Sequence, residues 1–278
     1  MRETVTDNID SLLRAVRGRR MSIAQAAKAL RAGHLPGGKQ SRLDFRRPER
    51  TGLPEIILSE GKSPEDLRDI VQALACAGLG AVISRVSGEN HRLLRSLAAE
   101  GLPLRFNPRG HIVVLEGKGE GDLRGRPVAV LSAGTADIRV AEEAATVLDV
   151  LGAEVFRAYD VGVAGLHRLI TVLKERGARE AQLFIVCAGR EGTLPTVVAG
   201  LVDRPVIGVP TSVGYGKGGK GEAALTSMLQ SCAPLAVVNV DGGVPAALVA
   251  AQFLRHLPAP RAGRRTRKDA VTPVEKTA

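Results

Sequence analysis

Tryptophan is absent from this sequence, and aromatic residues of every kind make up only 3% of its 278 positions. That scarcity leaves little for the stacking surfaces that grip single-stranded nucleic acid. It also obliges the core to be built from Ala, Val, Leu and Ile. Cysteine is as sparse: Cys76, Cys187 and Cys232 form no CxxC pair, which excludes a disulfide framework and a cysteine-ligated structural zinc. The five histidines show no HxxxH spacing, so a histidine-centred metal site has no support. No apolar run reaches the length of a membrane span. Asp7, Asp10, Arg14 and Arg17 interrupt any N-terminal apolar segment of the secretory type. The expected setting is the cytoplasm, with no membrane partner.

What the sequence does have is glycine, 32 residues of it, and a net charge of +10 that is unevenly spread. Residues 1–50 hold 12 Lys/Arg against 5 Asp/Glu, and residues 259–278 hold 6 against 2. The ends therefore carry +7 and +4, and the stretch between them carries −1. The basic tail from Arg261 to Lys268 contains no aromatic residue. It reads as a solvated, disordered segment rather than a nucleic-acid interface.

Apolar spacing predicts a helix over residues 7–32, with Gly18 as a point where it can break. A polar stretch rich in Gly and Arg follows, from Gly33 to Gly52. A small mixed unit comes next. It has strands at Glu55–Leu58, Gly80–Val86 and Ile112–Leu115, and helices at 64–77 and Asn90–Glu100. Ser63-Pro64-Glu65-Asp66 is a helix start, with a capping serine, proline at the first position and acids at the positive end. Glu116–Arg126 reads as a linker. From Pro127 five apolar runs alternate with helical patterns: strands Val128–Leu131, Glu154–Ala158, Leu183–Val186, Val206–Val209 and Ala236–Val240. The helices are Ile138–Leu151, Ala164–Arg176, Leu194–Leu201, Glu222–Cys232 and Val244–His256. Strands so apolar fit a parallel sheet covered on both faces. The expected fold is α/β: a flavodoxin-like, doubly wound five-stranded domain over residues 121–258, preceded by a smaller α+β region over 1–120 and followed by the tail 259–278.

In open α/β sheets ligands bind beyond the carboxyl ends of the strands. All five loops there are rich in Gly or small polar residues. They are Ser132-Ala-Gly134-Thr135-Ala-Asp137, Tyr159-Asp160-Val-Gly162, Cys187-Ala-Gly189-Arg190-Glu191-Gly192-Thr193, the run from Pro210 to Lys220, and Asn239-Val-Asp241-Gly242-Gly243. Together they suggest a polar cleft of nucleotide size. Gly214-x-Gly216-x-x-Gly219 matches a dinucleotide fingerprint, but Pro210–Val213 separates it from its strand, where a true fingerprint turns tightly. Gly214-x4-Gly219-Lys220 resembles an ATP-binding loop, but Gly221 replaces the hydroxyl that would hold Mg²⁺, so no ATP is expected. What remains is flexible backbone N–H groups with Lys217 and Lys220 beside a helix start, suited to phosphate or equally to a solvated loop. Ser132, Thr135 and Asp137 can serve as cap residues, as ligand contacts, or as both. Glu191 is a candidate general base, or the partner of Arg190 in a salt bridge. Cys232, like Cys76 and Cys187, reads by pattern as a buried cysteine, at the wrong helix end for this cleft.

These loops carry a resemblance. Pro127–Leu257 is similar to the PurE carboxylase family, through Ser132–Ala145 and the loop Ala188-Gly-Arg-Glu-Gly-Thr-Leu194-Pro195. That family uses histidines in its active-site loops, and this chain has Asp160 and Thr193 near those places. The chain resembles the LarB family more fully. The matching segments are Leu43-Asp44, Gly52–Glu55, Cys187–Pro195, Val209–Gly216, Met228–Ala233 and Val240–Gly242. Arg190 stands where an apolar residue is usual, and Gly242 where Asn is usual. The LarB resemblance implies carboxylation of nicotinic acid adenine dinucleotide at C5 of its pyridinium ring. It also implies hydrolysis of the phosphoanhydride, with release of AMP, in the pathway to a nickel-pincer cofactor. It implies Cys232 as nucleophile, CO2 or bicarbonate as co-substrate, Mg²⁺ as cofactor and a PurE-like homo-octamer. Within that frame Glu191 is the nominated base, and Asp137 or Asp241 the nominated metal ligand. Ser132, Gly134, Thr135, Asp137, Asp160, Gly189, Thr211, Ser212, Gly214, Tyr215, Gly216, Lys217, Lys220 and Asp241 are the expected substrate contacts. A purine ribonucleotide carboxylase or mutase and a non-catalytic nucleotide-binding module are the alternatives.

Overall fold

The computed structural model describes residues 13–32, 34–36, 42–44, 47–117 and 121–258. The basic tail from 259 onward and the start of the expected first helix, residues 7–12, lie outside them. Within them, the helix expected over 7–32 is two pieces. Residues 13–17 are helical, a turn at Gly18 and Arg19 follows, and α1 (Ile23–Ala32) resumes. Arg19 has φ +56, which a helix cannot carry. The polar stretch rich in Gly and Arg contains β1 (His34–Pro36), β2 (Arg42–Asp44) and α2 (Arg47–Thr51).

The N-terminal unit is a four-stranded mixed sheet in the order β3-β4-β6-β5. Its strands are β3 (Glu55–Leu58), β4 (Ala81–Ser84), β5 (Leu104–Asn107) and β6 (Ile112–Leu115). Two helices join it, α3 (Pro64–Cys76) and α4 (Gly88–Ala99). α3 begins as its sequence dictates: Ser63 Oγ accepts the Asp66 N–H at 3.1 Å, and Pro64 opens the first turn. Leu67, Ile70, Val71 and Leu74, at helical spacing, form its buried face. β5 has no counterpart in the sequence reading. Its four residues between Pro103 and Pro108 alternate too briefly to register as a strand.

The second unit is a five-stranded parallel sheet in the order β11-β10-β9-β7-β8, the flavodoxin-like arrangement. Its strands are β7 (Pro127–Ser132), β8 (Glu154–Ala158), β9 (Leu183–Ala188), β10 (Val206–Pro210) and β11 (Ala236–Val237). β11 is shorter than its apolar run: 238–240 leave the sheet toward the loop that carries Asp241. The helices are α5 (Ile138–Val150), α6 (Leu166–Lys174), α7 (Arg176–Glu180), α8 (Thr193–Leu201), α9 (Glu222–Leu229) and α10 (Gly243–His256). The helix expected over 164–176 thus breaks at Glu175, which is extended.

Period-two alternation sorts β9 between two cores. Leu183, Ile185 and Cys187 pack with α5 and α10, while Phe184, Val186 and Ala188 pack on the other face. The α5–α10 layer is shared: Leu53, Val82, Ile112 and Val114 of the N-terminal sheet join the same apolar cluster. The other face of that sheet, through Ile57, Ile83, Val113 and Leu115, packs on α3 and α4. The result is five alternating layers, with α5 and α10 sandwiched between two sheets. The expected linker is partly structural as well. Leu123 is fully buried and its N–H bonds the Leu151 carbonyl.

Candidate active site at the carboxyl edge

All five loops gather at the carboxyl edge of the parallel sheet, and hydrogen bonds stitch them together. Asp137 is the knot. Its Oδ1 accepts the Thr211 hydroxyl at 2.6 Å and its Oδ2 accepts the Gly134 N–H at 2.8 Å. The Gly189 N–H donates to the same carboxylate. Three loops, after β7, β9 and β10, thus meet on one side chain, and Asp137 makes no capping bond to its own helix. Burial pushes its carboxyl above the usual range, while the three donors pull the other way. Ser132 and Thr211 are completely buried. The Ser132 hydroxyl donates to the Gly134 carbonyl at 3.1 Å and accepts the Asp160 N–H at 3.3 Å. Ser132 therefore braces the β7 and β8 loops from inside and is not exposed to a ligand, contrary to one of its expected roles. Gly189 has no alternative: a Cβ there would lie 2.3 Å from the Val213 carbonyl oxygen.

A second chain of contacts runs across the edge to the N-terminal unit. Ser212 donates to Asp241 through its N–H at 2.9 Å and its hydroxyl at 2.7 Å. Arg139, on the first turn of α5, pairs with Asp241 at 3.1 Å and with Glu143 at 3.2 Å. Arg85 donates to the Asp241 carbonyl at 3.4 Å and pairs with Glu60 at 2.9 Å. Glu143 is 1% exposed, and burial raises its carboxyl from 4.5 to about 7 against the opposing pull of Arg139 and Arg85. The adjacent Glu142 accepts Asn107 at 2.8 Å and the Tyr159 hydroxyl at 3.0 Å.

Sequence reasoning missed Arg139, Glu143 and Arg85. A signal was present: Glu142 and Glu143 sit between Val140-Ala141 and Ala144-Ala145, so an all-round apolar helix must bury both acids. The raised carboxyl gives a signed prediction. Protonated Glu143 favours the folded state, a contribution present below pH 4.5 and lost as pH rises to about 7. Relative to the wild type, Glu143→Gln should gain stability across that window, by about 3 kcal/mol at most. Urea unfolding at pH 5 and pH 8 measures this. A constant difference between the two proteins would show that Glu143 does not titrate there.

Around the knot stand the exposed groups. Glu191, Gly214, Tyr215, Gly216, Lys217 and Lys220 all face solvent. Arg190 does not pair with Glu191. Its guanidinium lies 4.8 Å from the centroid of the Tyr215 ring and donates to the Tyr215 hydroxyl at 3.2 Å. Asp160 pairs with Arg168 at 2.6 Å. Thr135 opens a 3₁₀ turn before α5. Asp160, Arg190, Lys220 and Asp241 hold φ of +60, +49, +56 and +55, so four of the five loops keep a non-glycine residue in the left-handed region. Such strain costs about 1 kcal/mol or more per residue and persists where the surroundings over-determine it.

Two expectations fit the geometry poorly. Asp137 and Asp241 do not suit direct Mg²⁺ coordination, because protein donors already engage both oxygens of each carboxylate. Nor do the described residues hold any group of three His, Cys, Asp or Glu placed for a metal ion. Cys232, read by pattern as buried at a helix end, is exposed. α9 stops at Leu229, and Cys232 lies in the turn leading into β11. A segment entering a parallel strand is at the amino edge, so within one chain Cys232 is on the opposite side of the sheet from the other candidates. Cys76 is likewise exposed, not buried. Cys187 is buried as expected, and burial pushes its thiol well up.

Comparison with known proteins agrees with this architecture. The model of the AIR carboxylase family matches residues 127–262, and that of the LarB/PurE-like N-terminal domain matches residues 38–118. An uncharacterized protein of Methanocaldococcus jannaschii is 35% identical over 254 residues, covering 87% of this chain and 95% of that protein. The N5-carboxyaminoimidazole ribonucleotide mutase of the same organism is 33% identical over 130 residues, 46% of this chain and 78% of that enzyme. The Pyrococcus abyssi mutase is 35% identical over 133 residues, 46% of this chain and 72% of that enzyme. No helix among the described residues is long and apolar enough to cross a membrane. The chain belongs to the AIR carboxylase family, with a LarB/PurE-like N-terminal domain ahead of its carboxylase domain.

Proposed function

We propose that this protein carboxylates the pyridinium ring of nicotinic acid adenine dinucleotide at C5 and hydrolyses the phosphoanhydride, giving pyridinium-3,5-biscarboxylic acid mononucleotide and AMP. The observation that carries this reading is a carboxyl edge without histidine. None of the chain's five histidines lies in the loops 132–137, 159–162, 187–193, 210–220 or 239–243. A purine carboxylase of the PurE type draws on imidazole there. Here the exposed titratable groups are two carboxylates, a phenol, a guanidinium and two amines: Asp160, Glu191, Tyr215, Arg190, Lys217 and Lys220.

The chemistry follows from the substrate. A pyridinium carbon is electron-poor and cannot attack CO2. Addition of the Cys232 thiolate at C4 breaks aromaticity and places enamine electron density on C5. The C5 atom bonds the carbon of CO2, Glu191 takes the C5 proton, and expulsion of the thiolate restores the ring. A water then adds to the anhydride phosphorus and AMP departs. In this reading the exposed Lys217 and Lys220 meet the diphosphate. Because Cys232 and the loops occupy opposite edges of one chain, the reading requires a second copy, in a homo-oligomer of the PurE type, to present its Cys232 to these loops.

Incubation of the full chain with the dinucleotide, bicarbonate and Mg²⁺ is expected to yield AMP and a mononucleotide heavier by one CO2, read by mass spectrometry. Turnover of a carboxyaminoimidazole ribonucleotide, with the dinucleotide untouched, would instead assign the mutase activity named for the archaeal relatives.

A further inference from the structure

A cavity of about 400 Å³ opens in the N-terminal unit, lined by residues of that unit alone. Val86, Ile112 and Val113, all buried, give it an apolar floor. Phe106 forms one wall, and that ring is fixed from two sides. The Arg95 guanidinium lies 4.1 Å from its centroid, and His91 meets it edge-on at 5.7 Å. In a chain with five phenylalanines and no tryptophan, one aromatic ring is committed to this wall. The rim carries one guanidinium and two imidazoles. Arg92, His91 and His111 line the cavity, no Asp or Glu does, and two of the chain's five histidines are thus gathered at one opening. Arg92 has an acidic neighbour in Glu89, but at 3.9 Å and with both side chains exposed that pair is weak. Ser87 also lines the cavity, and its hydroxyl makes no capping bond to α4.

The walls are braced before any ligand arrives. The Asn107 side-chain amide donates at 2.8 Å to both Glu142 and Thr146 on α5, and its Oδ1 accepts the Arg109 and Gly110 N–H groups. The His111 carbonyl accepts the Val86 N–H at 2.8 Å, with His111 held at φ +51. A preformed, apolar-floored cavity with hydrogen-bond donors and no carboxylate at its rim needs little reorganisation to bind a complementary molecule.

From this cavity we infer a binding site for a small organic anion: an apolar or aromatic body, seated against Phe106 and the Val86–Ile112–Val113 floor, carrying a phosphate or carboxylate that meets Arg92, His91 and His111. The inference is independent of the carboxylation reading, because binding here is observable in protein that turns over nothing. Neither half of the ligand suffices by itself. An anion without a body forgoes the floor, and a body without an anion forgoes the charge-assisted bonds, each loss being about tenfold or more in affinity.

Selective isotope labelling of the histidine rings tests this in the full chain, with His91→Asn and His111→Gln assigning the two signals. AMP and nicotinate are the probes, one a nucleotide phosphate and the other an aryl carboxylate. Inorganic phosphate and adenosine are the controls. Saturable movement of the His91 and His111 signals by either probe supports the site, and which probe acts names the source of the anion. Binding should weaken about tenfold in Arg92→Ala and persist in a Lys217→Ala/Lys220→Ala variant, whose altered residues do not line the cavity. Stationary His91 and His111 signals at millimolar concentrations of both probes would overturn the inference. So would inorganic phosphate binding as tightly as AMP and nicotinate.

Discussion

Replacing Cys232 with alanine is expected to abolish ring carboxylation, a loss of at least about a thousandfold, since no other group supplies the covalent step. The fold should be untouched. Cys232 is exposed beyond the end of α9, and its truncation removes neither a buried contact nor a hydrogen bond that the structure shows. Circular dichroism and melting temperature of Cys232→Ala should therefore match the wild type while product formation disappears. Unchanged turnover would remove the thiolate from the mechanism. The position of the residue allows a sharper experiment. Glu191→Gln and Cys232→Ala should each be inactive alone. If loops and thiol come from different copies, dissociating and reassembling the two variants together creates sites with both intact. Random mixing gives about a quarter of full activity. A mixture as dead as its components would mean that the sulfur does not reach the loops of another copy, and the thiolate reading would fall with it.

Asp137→Ala should be severe for the opposite reason. The side chain is almost wholly buried and accepts from Thr211, Gly134 and Gly189. Deleting it strands three donors, one of them the fully buried Thr211 hydroxyl. Each orphaned donor costs about 1–3 kcal/mol, so a loss of roughly 3–5 kcal/mol is expected, lowering the melting temperature by about 10 °C or more. Activity should vanish with it, because the β7, β9 and β10 loops lose their common anchor. Asp137→Asn keeps the shape and one acceptor oxygen, and should fall between the two proteins in thermal stability. If Asp137→Ala melts within a degree of the wild type, the knot does not hold the loops.

The two residues illustrate how differently site information is written in a chain. Thr211 and Asp137 are 74 positions apart, and their bond exists because β9 lies between β7 and β10 in the sheet. Nothing local in either loop encodes that order. The apolar pattern of α5 implies that Glu143 is buried, but not that the N-terminal sheet is what covers it. The pairing of Arg190 with Tyr215, in place of Glu191, likewise depends on two loops that meet only in the folded chain. β5 went unread because four residues between prolines carry too short a period to distinguish strand from loop.

By itself the sequence determined the alternation of strands and helices from Pro127, the glycine-rich loops at one sheet edge, and the capped start of α3. Each is dictated by local terms: apolar period, β-propensity, and a serine oxygen three residues from the N–H it satisfies. Tertiary structure alone decided that the N-terminal sheet shares a core with α5 and α10, and that Asp137 binds loops together instead of facing a ligand. It also decided that Cys232 stands exposed in the turn before β11, where its pattern reads as buried. Those outcomes depend on which segments become neighbours. That is set by burying apolar faces on both sides of each layer, a sum over the whole chain that no short window contains.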